Sequence, residues 1–183
     1  EIEDEDIEGY VKAEHTELIV TFKYAVSKQE EERLKEIQAE ERAKKETVVK
    51  YRGVINYTDE DLKLLACLVH AEAGTQSYEG KLAVANVVIN RVKSSKYPNT
   101  IKGVIYQKGQ FSVASSGSLQ KQLNNYAHFK SSSQKLSIKA AREALEGANN
   151  IGSRLYFNSY KAAVKKGYLN KPNCIKIDDH LFW

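Results

Sequence analysis

The stretch Ala66–Val92, ACLVHAEAGTQSYEGKLAVANVVINRV, limits what this chain can fold into more than any other. It reads as two helices joined by a short polar elbow. The first helix begins at Thr58, where Thr58-Asp59-Glu60-Asp61 matches a capping box: a hydroxyl accepts from a backbone N–H, and an acid three residues on reaches back. Leu62, Leu65, Ala66 and Val69 recur at i, i+3, i+4 and i+7 and draw one apolar stripe. Gly74 stands where glycine ends a helix. The second helix, Tyr78–Val92, is apolar on nearly every face, the pattern of a central buried helix. Asn86, Asn90 and Arg91 interrupt it and are expected to hydrogen-bond neighbouring backbone.

Glu72 follows Val69 by three residues and Leu65 by seven, so it continues the apolar stripe. Burying an ionised carboxylate is costly, and its pKa should rise. A carboxyl that keeps its proton near neutral pH suits a general acid. The alternative is a half-exposed glutamate in the last helical turn, with no chemistry attached.

This region resembles the SleB-like cell wall hydrolase family, peptidoglycan hydrolases of the spore-cortex-lytic type. The matching residues are Ala71-Glu72-Ala73, Tyr78-Glu79-Gly80, the run Ala83–Val92, Tyr97-Pro98, Gly103-Val104-Ile105-Tyr106, Gly109-Gln110-Phe111-Ser112, Ile177 and His180-Leu181-Phe182-Trp183. Their order and spacing carry the likeness, which runs from Tyr57 to Trp183. Two departures stand out. Gly74-Thr75-Gln76-Ser77 replaces the Arg-Gly-Glu-Pro that often follows Glu-Ala, and Asp178 stands where the family has glycine.

The resemblance implies an α+β fold: a mainly helical, lysozyme/transglycosylase-like catalytic domain with a small β-sheet at 57–183. An acidic N-terminal segment, 1–56, precedes it with a short strand and a helical spacer. The resemblance also implies cleavage of the β-1,4 bond between N-acetylmuramic acid and N-acetylglucosamine. Glu72 is then the catalytic acid. Gln110, Phe111, Ser112, Tyr156 and His180 are candidate substrate contacts, with Trp183 beside them. Glu79, Asn86, Asn90 and Arg91 are candidate supports, Glu79 by accepting N–H groups at the start of the second helix.

Glycosidases ordinarily use two carboxylates, and Asp178 and Asp179 are the other candidates for the second. If none faces the bond, the muramyl C6 hydroxyl serves as internal nucleophile and the enzyme is a lytic transglycosylase, the favoured reading. Lysozyme-like hydrolysis is the runner-up, and a non-catalytic wall-binding module a third.

Charge is divided unevenly. Residues 1–50 hold 9 Lys+Arg against 15 Asp+Glu, whereas residues 51–183 hold 19 against 9. A basic domain suits a polyanionic surface such as a bacterial wall polymer. The basic residues lack the aromatic platform or groove-reading helix of a nucleic-acid binder, so nucleic acid is not an expected partner. No apolar run is long enough to span a bilayer. The chain begins at Glu1 and has no methionine. It reads as a mature or trimmed form of an exported protein acting at the cell wall or spore cortex, with no export signal in it.

Cys67 and Cys174 are the only cysteines. In an exported protein they pair as one disulfide or remain two buried thiols. No CxxC or HExxH occurs, and His70-Ala71-Glu72 lacks the P-C-x-x-C partner of a zinc deaminase; no metal or other cofactor is expected.

Along the rest of the chain, Leu18–Val26 reads as a strand able to pair with a second copy. Ser27–Glu46 reads as an exposed helical spacer. Thr100–Gln107 is a short helix, and Gln110-Phe111-Ser112 a loop facing the elbow. Ser131–Ser133 caps a helix to Glu146, with Ala140, Ala141, Ala144 and Leu145 inward. Arg154–Asn158 is a strand, and Cys174–Asp178 with His180–Trp183 reads as a second strand pairing with it.

Overall fold

A computed structural model describes residues 28–46, 50–51 and 54–183. The expected strand Leu18–Val26, and with it pairing to a second copy, lies outside the described residues. The chain divides into two units, Glu1–Lys45 and Glu46–Trp183.

In the first unit and at its border, helix α1 spans Lys28–Glu46. Its described side chains are exposed apart from half-buried Leu34. Charge pairing along the surface supports it, as in the contact of Lys35 Nζ with Glu31 at 2.6 Å.

The second unit opens with a small antiparallel pair, β1 (Lys50–Tyr51) and β2 (Asn56–Tyr57). It belongs with the domain that follows, because Tyr57 is buried and Val54 N–H donates to Leu145 O. Helices α2 (Asp59–Ala73) and α3 (Tyr78–Lys93) form the centre. After them come α4 (Ile101–Tyr106), α5 (Ser112–Ser115), α6 (Ser118–Asn125) and α7 (Ser132–Leu145). Then come β3 (Phe157–Ser159), α8 (Tyr160–Lys165), β4 (Ile175–Ile177) and β5 (His180–Phe182). The domain is mainly helical with a small sheet, as expected. Among the described residues no helix is long and apolar enough to cross a membrane.

Local sequence sets the helix starts. Thr58 caps α2 with the expected box: its hydroxyl accepts from Asp61 N–H, and Asp61 Oδ2 accepts from Thr58 N–H at 3.0 Å. Ser131 and Gln134 do the same for α7. Helices α2 and α3 pack against α7, and α2 also against α6. Leu65 to Val69 of α2, most of α3, and Ala140, Ala141, Ala144 and Leu145 of α7 make one core. That accounts for α3 being apolar all round: neighbours cover it on every side.

The C-terminal sheet has the order β3-β5-β4, antiparallel throughout. Cys174–Trp183 is therefore two strands joined by a tight turn at Asp178-Asp179, with the last strand central. Asp178 takes a left-handed conformation, φ 46°. Aspartate tolerates that region better than most residues.

Candidate active site

The elbow between α2 and α3 gathers the charged and polar groups expected of a site. Glu72 lies in the last turn of α2 and is half-buried. Burial pushes its carboxyl above the usual carboxylate range. One donor opposes the shift: the backbone N–H of Val113, in the first turn of α5. Ser112 is thus the first residue of a helix and not part of a loop, and the segment reaches Glu72 through its neighbour's main chain.

The end of α2 is held by a residue that sequence reading passed over. Lys81, on the apolar face of α3, is fully buried. Its ammonium donates to Ala73 O at 2.5 Å, Gly74 O at 2.8 Å and Ser133 Oγ at 3.3 Å. Ser133 Oγ also donates to Gly74 O. These donors satisfy carbonyls that a helix end leaves open, and they place a cation where the helix dipole favours one. Gly74 ends the helix as a right-handed C-cap, φ −56°. It still excludes a side chain, since a Cβ would lie 2.7 Å from His70 O. His70 completes the cluster through Ser137 Oγ at 3.3 Å; burial and the nearby Lys81 charge push its pKa down.

The turn at Asp178-Asp179 clasps the other side of the elbow. Asp178 Oδ2 accepts from Ser77 N–H at 2.8 Å and from Ser77 Oγ at 2.7 Å. Gln76 Oε1 accepts from Asp179 N–H at 3.1 Å, while Gln76 Nε2 donates to Asp179 Oδ2 at 3.3 Å. Asp178 therefore fills the anchoring role expected of Glu79, whose side chain is exposed and whose carbonyl accepts from Asn150 Nδ2. The clasp depends on Gly80, where a Cβ would stand 2.5 Å from Asp178 Oδ2 and 2.9 Å from Gln76 Cβ. Gly80→Ala should lower stability by about 1–3 kcal/mol in urea unfolding, through forced overpacking; an unchanged midpoint would show that the clasp yields freely.

The candidate substrate contacts separate into two groups. Gln110 is half-buried, and Ser112 and Tyr156 are exposed. Phe111 and His180, the other two candidates, are inside, 3% and 8% exposed. Phe111 joins the core beside Phe157, ring centroids 6.2 Å apart. His180 packs edge-on to Phe157, and burial pushes its pKa down against the opposing pull of Asp179 and Asp178. Its Nδ1 is buried without a hydrogen-bond partner among the described residues. Tyr156 stacks on Trp183 at 5.8 Å.

The polar residues of α3 brace the loop before β3. Asn90 Nδ2 donates to Gly152 O at 2.7 Å and Arg154 O at 2.8 Å, and Arg91 Nε donates to Leu155 O at 2.8 Å. The Arg91 guanidinium also lies 5.1 Å from the ring centres of Tyr97 and Phe111. Asn86 differs from expectation in bonding a side chain, Asn150 Oδ1, at 3.4 Å. Both cysteines are free, so the disulfide alternative is not formed. Cys67 is fully buried, which pushes its thiol up to about 11. Cys174 Sγ donates to Leu169 O at 3.3 Å.

The family model described as cell wall hydrolase matches residues 75–183, beginning at the elbow. A spore cortex-lytic enzyme of Bacillus cereus is 32% identical over 126 residues, 69% of this chain and 45% of the relative. The spore cortex-lytic enzyme of Bacillus subtilis is 28% identical over 141 residues, 77% of this chain and 43% of the relative. The chain thus spans less than half the length of these curated relatives. Among solved structures, the catalytic domain of the Bacillus cereus SleB protein matches with a TM-score of 0.57 and 29% identity, over 73% of this chain and 96% of that one. The catalytic domain of the germination-specific lytic transglycosylase SleB from Bacillus anthracis gives 0.56 and 30%, over 69% and 95%. Matched over more than half its length, from the elbow to Trp183, the chain belongs to the cell wall hydrolase family.

Proposed function

We propose that this protein cleaves peptidoglycan glycan strands as a lytic transglycosylase, outside the cell at the wall or spore cortex, with Glu72 as both acid and base. Glu72 protonates the oxygen joining muramyl C1 to the next sugar, and the C1–O bond breaks. The muramyl C6 hydroxyl then attacks C1 and gives up its proton to the Glu72 carboxylate. The acid is regenerated, a 1,6-anhydro end forms, and no water is consumed.

One observation carries this reading: among the described residues around the elbow, only Glu72 combines partial burial, a carboxyl pushed above its usual range and no side-chain hydrogen bond. Asp178 and Asp179 are engaged by Ser77 and Gln76, and Glu79 is exposed. A mechanism needing one carboxyl fits this arrangement better than one needing two. Gln110, Ser112 and Tyr156 remain as candidate sugar contacts near the surface.

Mass spectrometry of digested, purified peptidoglycan tests the reaction type. The expected products carry anhydromuramyl ends; reducing ends would reassign the protein as a lysozyme-like hydrolase. Binding without any cleavage would make it a wall-binding module.

A further inference from the structure

Residues 160–176 cover α8, a 3₁₀ turn at Tyr168–Asn170 and the approach to β4. Among the described side chains here, only Ala163 is fully buried, so the segment adds little to the core. What it presents is charge. Lys161, Lys165, Lys166, Lys171 and Lys176 are all exposed, and no Asp or Glu occurs from residue 147 to 177. Among the described residues none of the five is ion-paired.

Three of these lysines are held over tyrosines. The Lys166 and Lys171 ammonium groups lie 5.8 and 5.6 Å from the Tyr168 ring centre, and that of Lys176 lies 4.3 Å from the Tyr160 ring centre. Two cations sharing one ring are within about 12 Å of each other, so an anionic group seated between them meets both. The lobe also touches the elbow's clasp: Tyr160 N–H donates to Asp179 O at 2.6 Å, and Asp179 holds Gln76.

The lysines cover the tyrosine faces, which removes the stacking platform a nucleic acid would use. Helix α8 has six residues, too short to lay an apolar face into a lipid surface. A chain of spaced carboxylates fits better.

We propose that this lobe binds the free carboxylates of the peptide stems on peptidoglycan and tethers the polymer beside the elbow. The proposal rests on the peptidoglycan reading above, but binding can be measured apart from cleavage. The full chain carrying Glu72→Gln, which removes cutting from the assay, is sedimented with purified peptidoglycan stripped of attached phosphate polymers, over a range of salt. Adding Lys166→Gln, Lys171→Gln and Lys176→Gln together should weaken binding on the order of ten-fold and flatten its salt dependence. The melting temperature should not move. Converting the wall carboxylates to amides should weaken the parent equally and erase the difference between the two proteins. In the active enzyme the triple lysine variant should raise KM and leave kcat unchanged. Equal affinity of parent and triple variant, indifference to amidation, or preference for DNA or anionic vesicles over the wall would each overturn the tether. Loss of cleavage products in the active enzyme with binding intact would count against the enzymatic reading alone.

Discussion

Replacing Glu72 by Gln is expected to abolish nearly all turnover, leave wall binding intact and raise stability at pH 7. The amide keeps the shape and the Val113 N–H contact but carries no transferable proton. General acid–base groups contribute typically 10²–10⁴-fold, so turnover should fall by about that much. The stability effect follows from linkage. The folded carboxyl has a pKa above its unfolded value of about 4.3, because burial disfavours the charged form. Between the unfolded and folded pKa the native state holds more protons than the unfolded state, so stability falls as pH rises through that window. Above it the cost is complete, and Glu72→Gln removes it. Thermal melting should show the variant ahead of the parent at pH 7, with the gain gone below about pH 4. A variant less stable at pH 7 would mean that the carboxylate is well solvated or partnered.

Lys81→Ala should be the most destabilising single change at the elbow. It empties the space of a fully buried side chain and withdraws the ammonium from Ala73 O, Gly74 O and Ser133 Oγ. Cavity formation and unsatisfied carbonyls together imply about 3–5 kcal/mol. Lys81→Met refills most of the volume without restoring the donors and should cost about 1–3 kcal/mol. Urea unfolding with an unchanged slope should order the proteins parent, Met variant, Ala variant. Equal stability of all three would show that the carbonyls find other donors and that the turn bearing Glu72 is held elsewhere.

The parts of this fold legible in the sequence are those set by local chemistry. The caps at Thr58 and Ser131 need only residues three apart, and the stripe Leu62, Leu65, Ala66, Val69 leads directly to Glu72. Lys81 was not legible, because a lysine among apolar residues ordinarily carries its charge out to water. Its partners lie across the elbow and, in Ser133, 52 residues away. The exchange of roles between Glu79 and Asp178 has the same origin, since Asp178 reaches Ser77 across 101 residues. Phe111 and His180 carry chemistry suited to a sugar site, yet aromatic identity does not tell which layer a ring occupies. The order β3-β5-β4 likewise depends on where the last hairpin docks, which pairing propensity does not specify.

The central claim is that a proton on Glu72 drives glycan cleavage, and the pH dependence of kcat/KM on purified peptidoglycan tests it most directly. The account predicts a falling limb at high pH, with an apparent pKa above the ordinary carboxylate range and matching the Glu72 carboxyl titration followed by NMR. A limb unrelated to that titration, or Glu72→Gln retaining more than about a tenth of the rate, would contradict it.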